Sequence, residues 1–399
     1  MSDFATIDQL NVAGKRVLVR ADLNVPVKDG RVTDDTRIAR TVPTLVELAK
    51  RGARVIVTSH LGRPQGRPSL DLSLKPIAES LERNLGRAVP FASDCIGPAA
   101  ENIVAAMRDG DIVLLENLRF HPEEEKNDVG FAQKLAALAD FYVGDAFSCA
   151  HRAHASTEAI ARLLPAAAGR LMQAELEALS KVLESPTHPV AALVGGAKIS
   201  TKLAVLGHLV GRVDVLVVGG AMANTFLHAM GVAVGTSLCE RDMAKEALAI
   251  LETAAKAGCE VVLPIDAVVA AAFKAGAASQ AVAIAAVPAD RMILDIGPLS
   301  AADLERRLAA CRTLLWNGPL GAFEVAPFDA GTNAVARAAA RLTAAGQLVT
   351  VAGGGDTVAA LAHAGVIDAF TYVSTAGGAF LEWLEGRDLP GVAALCRAA

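Results

Sequence analysis

Short runs that are apolar on both faces recur along the chain, separated by stretches with helical spacing. Residues 16–20, 54–58, 89–92, 112–115 and 141–144 read as strands in the first half. Residues 190–194, 213–218, 260–263, 281–285, 292–294, 313–316 and 348–351 read as strands in the second. Strands with no polar face belong in parallel sheets covered on both sides, because a sheet with one wet face alternates instead. Between them, Ile38, Val42, Leu45 and Ala49 fall on one helical face. Asp34 or Asp35 can cap that helix and Gly52 can end it. Residues 73–86 and 171–184 follow the same pattern.

The helix at 171–183 runs into Glu184-Ser185-Pro186-Thr187-His188-Pro189, where two prolines stop it and re-aim the chain. The strand–helix pattern then restarts. The expected fold is α/β: two doubly wound lobes, each a mainly parallel sheet covered by helices, joined by an interdomain helix and hinge. The lobes are expected at 1–170 and 171–379. A length of 399 residues suits two or three domains, and 53% apolar residues can fill their cores. A net charge of −5 and only 4% aromatic residues argue against a nucleic-acid surface. Six scattered cysteines without a CxxC pair suit free thiols in a reducing compartment. The first eight residues lack a basic, apolar leader, and no apolar run approaches about 18 residues. A cytoplasmic chain that spans no membrane is expected.

In open α/β sheets, ligands sit at the carboxyl ends of the strands. Residues of unusual chemistry follow the strands in both halves. In the first half, the strand-end loops carry Asp22, Asn24, His60, Arg63, Arg119 and Arg152, and Arg37 opens a helix. Arginine forks grip carboxylate and phosphate in bidentate geometry. Asp22 and Asn24 offer an acceptor and an amide to a hydroxyl and a carboxylate. One such arginine would be an ordinary solvated side chain; four of them together with His60, delivered by five loop segments to one sheet edge, point to a small polyanion. His151 and His154 with Cys149 could hold a metal, but no further ligand cluster accompanies them, and help in holding an anion is the better fit.

The second half supplies Gly195-Gly196-Ala197-Lys198 followed by Lys202. Lys198 and Lys202, four apart, are expected on one helix face beside a transferring phosphoryl group. Gly219-Gly220 forms a turn with a small floor, either under a flat base or for close helix packing. The segment from Trp316 through Asn317 to Glu324 could shape an adenine slot, with Glu324 accepting from ribose hydroxyls. Gly353-Gly354-Gly355-Asp356-Thr357 is an anion cradle. Its Asp356 stands where Mg²⁺ would bridge to phosphate, and Thr357 could bond a phosphate. Ser374-Thr375-Ala376-Gly377-Gly378 reads as a turn or helix cap. A polyanion grip in one lobe and a nucleotide grip in the other describe a phosphotransferase that closes on its substrates.

Val17-Leu18-Val19-Arg20-Ala21-Asp22-Leu23-Asn24-Val25-Pro26 resembles the signature of the phosphoglycerate kinases. Ser59-His60-Leu61-Gly62-Arg63-Pro64, Glu116-Asn117-Leu118-Arg119-Phe120, Ala150-His151-Arg152-Ala153-His154, Gly195-Gly196-Ala197-Lys198, Asn317-Gly318-Pro319 and the Gly353–Thr357 turn are similar to that family in order and spacing. The resemblance implies transfer between 1,3-bisphosphoglycerate and ADP to give 3-phosphoglycerate and ATP, by direct in-line transfer. It implies a monomer that closes about a hinge, with residues 380–399 returning to the first lobe. Asp22, Asn24, Arg37, His60, Arg63, Arg119 and Arg152 would bind phosphoglycerate. Lys198, Lys202, Glu324 and Gly353, Gly354, Gly355, Asp356 and Thr357 would bind the nucleotide, with Gly195, Gly219, Gly220 and Asn317 in the surrounding loops. Asp356 would hold Mg²⁺, and Arg37, Lys198 and Lys202 would act on the phosphoryl group in flight. Ala221 and Ala376 replace glycines usual in the family, and Ser148-Cys149 replaces Gly-Thr. An alanine forced to positive φ would cost about 1 kcal/mol. The alternatives are an NAD-dependent dehydrogenase, for which no G-x-G-x-x-G with its acidic partner is found, and a non-catalytic anion-binding protein.

Overall fold

In the computed structural model, residues 4–374 and 376–396 are described; Met1 to Asp3, Thr375 and Arg397 to Ala399 lie outside them. The chain divides into two compact units. One runs from the N-terminus through Glu177 and resumes at Asp388; the other spans Ala178–Arg387.

The first unit contains β1 (Arg16–Ala21), a small hairpin of β2 (Val27–Lys28) and β3 (Arg31–Val32), α1 (Thr36–Lys50), β4 (Arg54–Thr58) and α2 (Lys75–Leu85). It continues with α3 (Gly97–Ala105), β5 (Ile112–Leu114), α4 (Val129–Ala136), β6 (Phe141–Asp145), β7 (Ala166–Ala168) and the start of α5 (Arg170–Leu183). Its sheet has the order β5-β4-β1-β6-β7, with every pairing parallel. These strands are buried almost throughout, so they carry no polar face. On α1 the buried stripe is Ile38, Thr41, Thr44, Leu45 and Leu48, with Val42 and Ala49 half-buried beside it. Asp35 is the N-cap without a side-chain bond, and the preceding Asp34 carboxylate accepts from the Thr36 backbone N–H at 2.9 Å.

Residues 89–92 form no strand. Phe91 makes a single bridge to Leu114, because Pro90 has no N–H to extend a ladder. Conversely β7, three alanines, gave no strand signal; its pairing with β6 holds it.

The second unit contains β8 (Val190–Val194), α6 (Leu203–Leu209), β9 (Val215–Val218), α7 (Gly220–Ala229), α8 (Ala244–Ala257), β10 (Glu260–Val262), β11 (Asp266–Ala270) and β12 (Ser279–Ala283). Then follow β13 (Met292–Ile296), α9 (Pro298–Ala310), β14 (Thr313–Asn317), α10 (Ala330–Ala344), β15 (Val349–Gly353), α11 (Gly355–His363), β16 (Tyr372–Ser374) and α12 (Gly377–Leu384). The main sheet, β10-β9-β8-β14-β15-β16, is wholly parallel. A separate antiparallel sheet, β12-β11-β13, has its own small apolar core around Val269 and Ile284. The last helix, α13 (Pro390–Cys396), belongs to the first unit: the Gly391 N–H donates to the Ala150 carbonyl at 2.9 Å, and Leu395 lies against Gly144. Among the described residues, no helix is long and apolar enough to cross a membrane.

Counted within each main sheet, the strand orders are 3-2-1-4-5 and 3-2-1-4-5-6. Both sheets are therefore doubly wound. The winding reverses between β1 and β6 in one and between β8 and β14 in the other. Loops leaving the carboxyl ends of such a pair part to opposite faces and leave a crevice.

Candidate functional site

In the first unit, the loops after β1 and β6 meet at the reversal. The Ser148 hydroxyl donates to Asp22 Oδ2 at 2.5 Å. Arg37, in the first turn of α1, donates to the same oxygen at 2.7 Å and to the Asn24 carbonyl at 3.3 Å. Asn24 Oδ1 accepts from the Gly62 N–H at 3.0 Å, and the Gly62 carbonyl accepts from Arg119 at 2.8 Å. Asp22, Arg37, Asn24 and Arg119 thus form one bonded chain along the sheet edge. Arg63 and Arg152 are exposed, and their side chains make no hydrogen bond or ion pair among the described residues. Their charge stands free at the same strand ends.

His60 is buried. Burial first, then Arg20, Arg119, His154 and Arg37, hold it well below the ordinary imidazole range, so it is neutral. His154 is also buried, and burial first, then Arg20, Arg119, Arg152 and His151, lower it to about 4. Asp22, His60 and Cys149 bring their ligand atoms within 4.8 Å of one another. However, the Arg20 guanidinium already lies 3.1 Å from His60 Nδ1 and 3.9 Å from Cys149 Sγ. The place a cation would take is filled by a side-chain cation.

Arg20 and Ser148 were not picked out as site residues from the sequence. A charged residue inside the apolar run of β1 was the available signal for Arg20.

In the second unit, the Gly195 N–H donates to the Asn317 carbonyl at 2.9 Å, strapping together the loops after β8 and β14. A Cβ on Gly195 would lie 1.9 Å from the Pro319 carbonyl oxygen, so only glycine fits. A cleft of about 320 Å³ opens there, lined by Lys198, Lys202, Asn317, Gly354, Gly355 and Asp356 among others. Lys202 donates to Asn317 Oδ1, and Asn317 Nδ2 donates to the Gly353 carbonyl at 2.7 Å. Burial lowers the Lys202 pKa, opposed by Asp356. Gly354, at φ +100°, turns the chain into α11, whose unbonded first-turn amides favour an anion. Asp356 in that turn is exposed and makes no hydrogen bond or ion pair among the described residues, as Lys198 also does not.

Two expectations need correction here. Lys198 and Lys202 do not share a helix face. Lys198 is extended (φ −136°, ψ 127°) and a 3-10 turn at Ile199–Thr201 separates it from Lys202. The Thr201 hydroxyl bonds back to the Lys198 carbonyl at 2.9 Å and Ser200 bonds Glu240, which draws the segment out of a helix. Both lysines still line the one cleft. Trp316 does not wall a slot; it is 1% exposed in the core, its indole N–H donating to the Gly318 carbonyl at 2.8 Å.

The apolar cavity lies beside the cleft and shares Gly196, Ala197 and Asp356 with it. It measures about 340 Å³ and is lined by Gly220, Leu238, Phe273, Pro319 and exposed Glu324 among others. Its walls from the antiparallel-sheet region had no signal in the sequence. A largely apolar cavity next to an anion cradle suits a nucleotide base. Gly219 and Gly353 line neither space. A Cβ on Gly219 would lie 2.4 Å from Leu320, and one on Gly353 2.7 Å from the Phe380 ring. The buried Thr357 hydroxyl is engaged internally, donating to the Gly353 carbonyl at 2.8 Å and accepting from the Gly318 N–H at 2.7 Å. Neither replaced glycine needed positive φ: Ala221 lies inside α7, and Ala376 has φ −93°. Thr375, from the neighbouring turn, lies outside the described residues.

A sheet edge of arginine and imidazole, and another of glycine, lysine and carboxylate beside a base-sized cavity, define the class of nucleotide-dependent phosphotransferases. The family model for phosphoglycerate kinase matches residues 7–387. Phosphoglycerate kinase of Methylorubrum extorquens (strain PA1) is 62% identical over 396 residues, 99% of each chain. That of Agrobacterium fabrum is 61% identical over 399 residues, the whole of each chain. The structure of phosphoglycerate kinase from Coxiella burnetii superposes with a TM-score of 0.92 at 42% identity, covering 98% of this chain and 99% of that one. The crystal structure from Pyrococcus horikoshii OT3 gives 0.78 at 30% identity, covering 98% of each. This chain belongs to the phosphoglycerate kinase family, and it is an enzyme of the kinase type. None of these matches supports a dehydrogenase or a non-catalytic binder.

Proposed function

We propose that the enzyme transfers a phosphoryl group reversibly between 1,3-bisphosphoglycerate and ADP, giving 3-phosphoglycerate and ATP in glycolysis. The observation that carries this assignment is the charge left free at the two sheet edges. Among the described residues, the side chains of Arg63 and Arg152 make no hydrogen bond or ion pair at one, nor do those of Lys198 and Asp356 at the other. Free cations at the first edge can take the substrate phosphate, while Asp22 and Asn24 meet its hydroxyl and carboxylate. Glycine amides and Lys202 take the nucleotide phosphates, and Glu324 accepts from the ribose.

Asp356 fits a role in holding Mg²⁺: it is an exposed carboxylate at phosphate level without a bonded partner, and Mg²⁺ uses one or two carboxylates plus phosphate oxygens. Bound there, the ion neutralises phosphate charge. Arg37 and Lys198 stabilise the phosphoryl group in flight, with Lys202 beside them. No general base is required, because the accepting oxygen is already a carboxylate. Turnover requires the two bound substrates to meet in line, and hinge motion is the inferred means. A monomeric, cytoplasmic enzyme is inferred with it; the cysteines are free thiols, as suits a reducing compartment.

The assignment of edges is tested by a pair of variants in steady-state kinetics. Arg152→Ala should raise KM for 3-phosphoglycerate roughly tenfold or more and leave that for ATP nearly unchanged. Asp356→Asn should do the reverse and raise the Mg²⁺ needed for half-maximal rate. A crossed pattern would overturn the assignment.

A further inference from the structure

Arg20 interrupts the apolar run of β1 and is 1% exposed. Its Nε donates to Ser156 Oγ at 2.8 Å, one terminal nitrogen donates to the Ala21 carbonyl at 2.5 Å, and the other faces His60 Nδ1 at 3.1 Å. Ser156 is held in turn. Its hydroxyl donates to Glu124 Oε1 at 2.6 Å and its backbone N–H donates to Oε2 at 2.9 Å. Glu124 is fully enclosed.

The direction of each bond follows from donor chemistry. A serine hydroxyl has one proton; given to Glu124, it leaves only a lone pair for Arg20. A guanidinium has donors and no acceptor. The contact with His60 Nδ1 is therefore a hydrogen bond only if that nitrogen carries no proton. A neutral imidazole must then keep its proton on Nε2. An imidazolium, or the other tautomer, would set an N–H against an N–H in a buried site.

We propose that Arg20, aimed by Ser156 and Glu124, is a positioning residue that fixes His60 as the neutral Nε2–H tautomer, so that His60 offers the substrate a single uncharged donor. His60 then selects an oxygen acceptor and adds no charge. Charge neutralisation falls to Arg37, Arg63, Arg119 and Arg152. The cations that oppose protonation of His60 act in the same sense as the Arg20 contact. The substrate half of the proposal rests on the assignment of His60 to phosphoglycerate; the tautomer half does not.

The test is long-range proton–nitrogen NMR on the full-length protein labelled with ¹⁵N in histidine, with His60→Gln to identify the His60 signals. The wild type should show an unprotonated Nδ1 and a protonated Nε2 throughout roughly pH 5–8, with no titration. Arg20→Met keeps an unbranched, flexible stem, though a shorter one, and removes the donors. Its His60 signals should move toward averaged tautomers and begin to titrate. KM for 3-phosphoglycerate should rise up to about tenfold, the worth of one neutral hydrogen bond, with kcat changed less. If Arg20→Met does not fold, Ser156→Ala, which frees the guanidinium from its support, should shift the same signals. An Nδ1–H signal in the wild type, or an unmoved Nε2–H tautomer in the folded variants, overturns the proposal whatever the turnover. A moved tautomer with unchanged KM overturns its substrate half alone.

Discussion

His154 is 6% exposed, and its pKa of about 4 lies below the ordinary value of 6.5. The unfolded chain therefore binds a proton between pH 6.5 and 4 that the folded chain refuses. Stability from neutral His154 is complete above the ordinary value and is lost as pH falls through that window, by about 3 kcal/mol at most. Asp145 acts with the opposite sign. Burial pushes its carboxyl up to about 7, although it accepts from the Leu171 and Met172 N–H groups at 2.9 and 3.1 Å. The folded chain keeps a proton there that the unfolded chain has lost, so stability declines as pH rises from about 4 to 7. Comparison of variants separates the two. In urea melts across this range, His154→Gln should lose its disadvantage relative to wild type as pH falls. Asp145→Asn should gain on wild type as pH rises. Parallel curves for either variant would show that the group does not titrate differently in the two states.

Glycine matters to the elements at a few positions, and the structure separates these from the rest. Gly195 touches the Pro319 carbonyl so closely that Gly195→Ala must displace backbone, at a cost of roughly 1–3 kcal/mol and with damage to ADP binding. Ala221 sits in regular helix, so Ala221→Gly, which restores the residue usual in the family, should lower stability by roughly 0.5–1 kcal/mol and leave ADP binding intact. Denaturation midpoints and ADP titrations check both; loss of ADP binding in Ala221→Gly would contradict the second. The central strands were legible because both faces are buried, as at the neighbouring pairs Val17 and Leu18, Ala192 and Leu193, and Leu314 and Leu315. Strand β7 was not, because Ala166–Ala168 has the local preference of a helix and is a strand only through its partner. Spacing placed Lys198 and Lys202 together and both line one cleft, but not on a shared helix face, since hydroxyl bonds of Ser200 and Thr201 broke the helix. Trp316 was misplaced because an aromatic residue near a glycine turn carries no sign of which way it faces. Asp22, Asn24, Arg37 and Arg119 were found as separate residues. Their linkage through the Gly62 backbone depends on long-range register, which no local pattern contains.

At the scale of the whole molecule, one topology is used twice for two chemistries. Each main sheet reverses its winding once, and the loops at each reversal carry the groups assigned to binding. The first set is cationic and suits a small polyanion. The second is glycine-rich, with an ammonium and a carboxylate, and suits a nucleotide with its metal ion. The central claim is that these two sets serve one transfer reaction with 3-phosphoglycerate as acceptor. The most direct measurement is ATP-driven phosphorylation of 3-phosphoglycerate by the purified enzyme, with and without Mg²⁺, coupled to reduction of the acyl phosphate. The account predicts turnover that depends on Mg²⁺ and on 3-phosphoglycerate. A folded sample that binds ADP yet shows no turnover would contradict it.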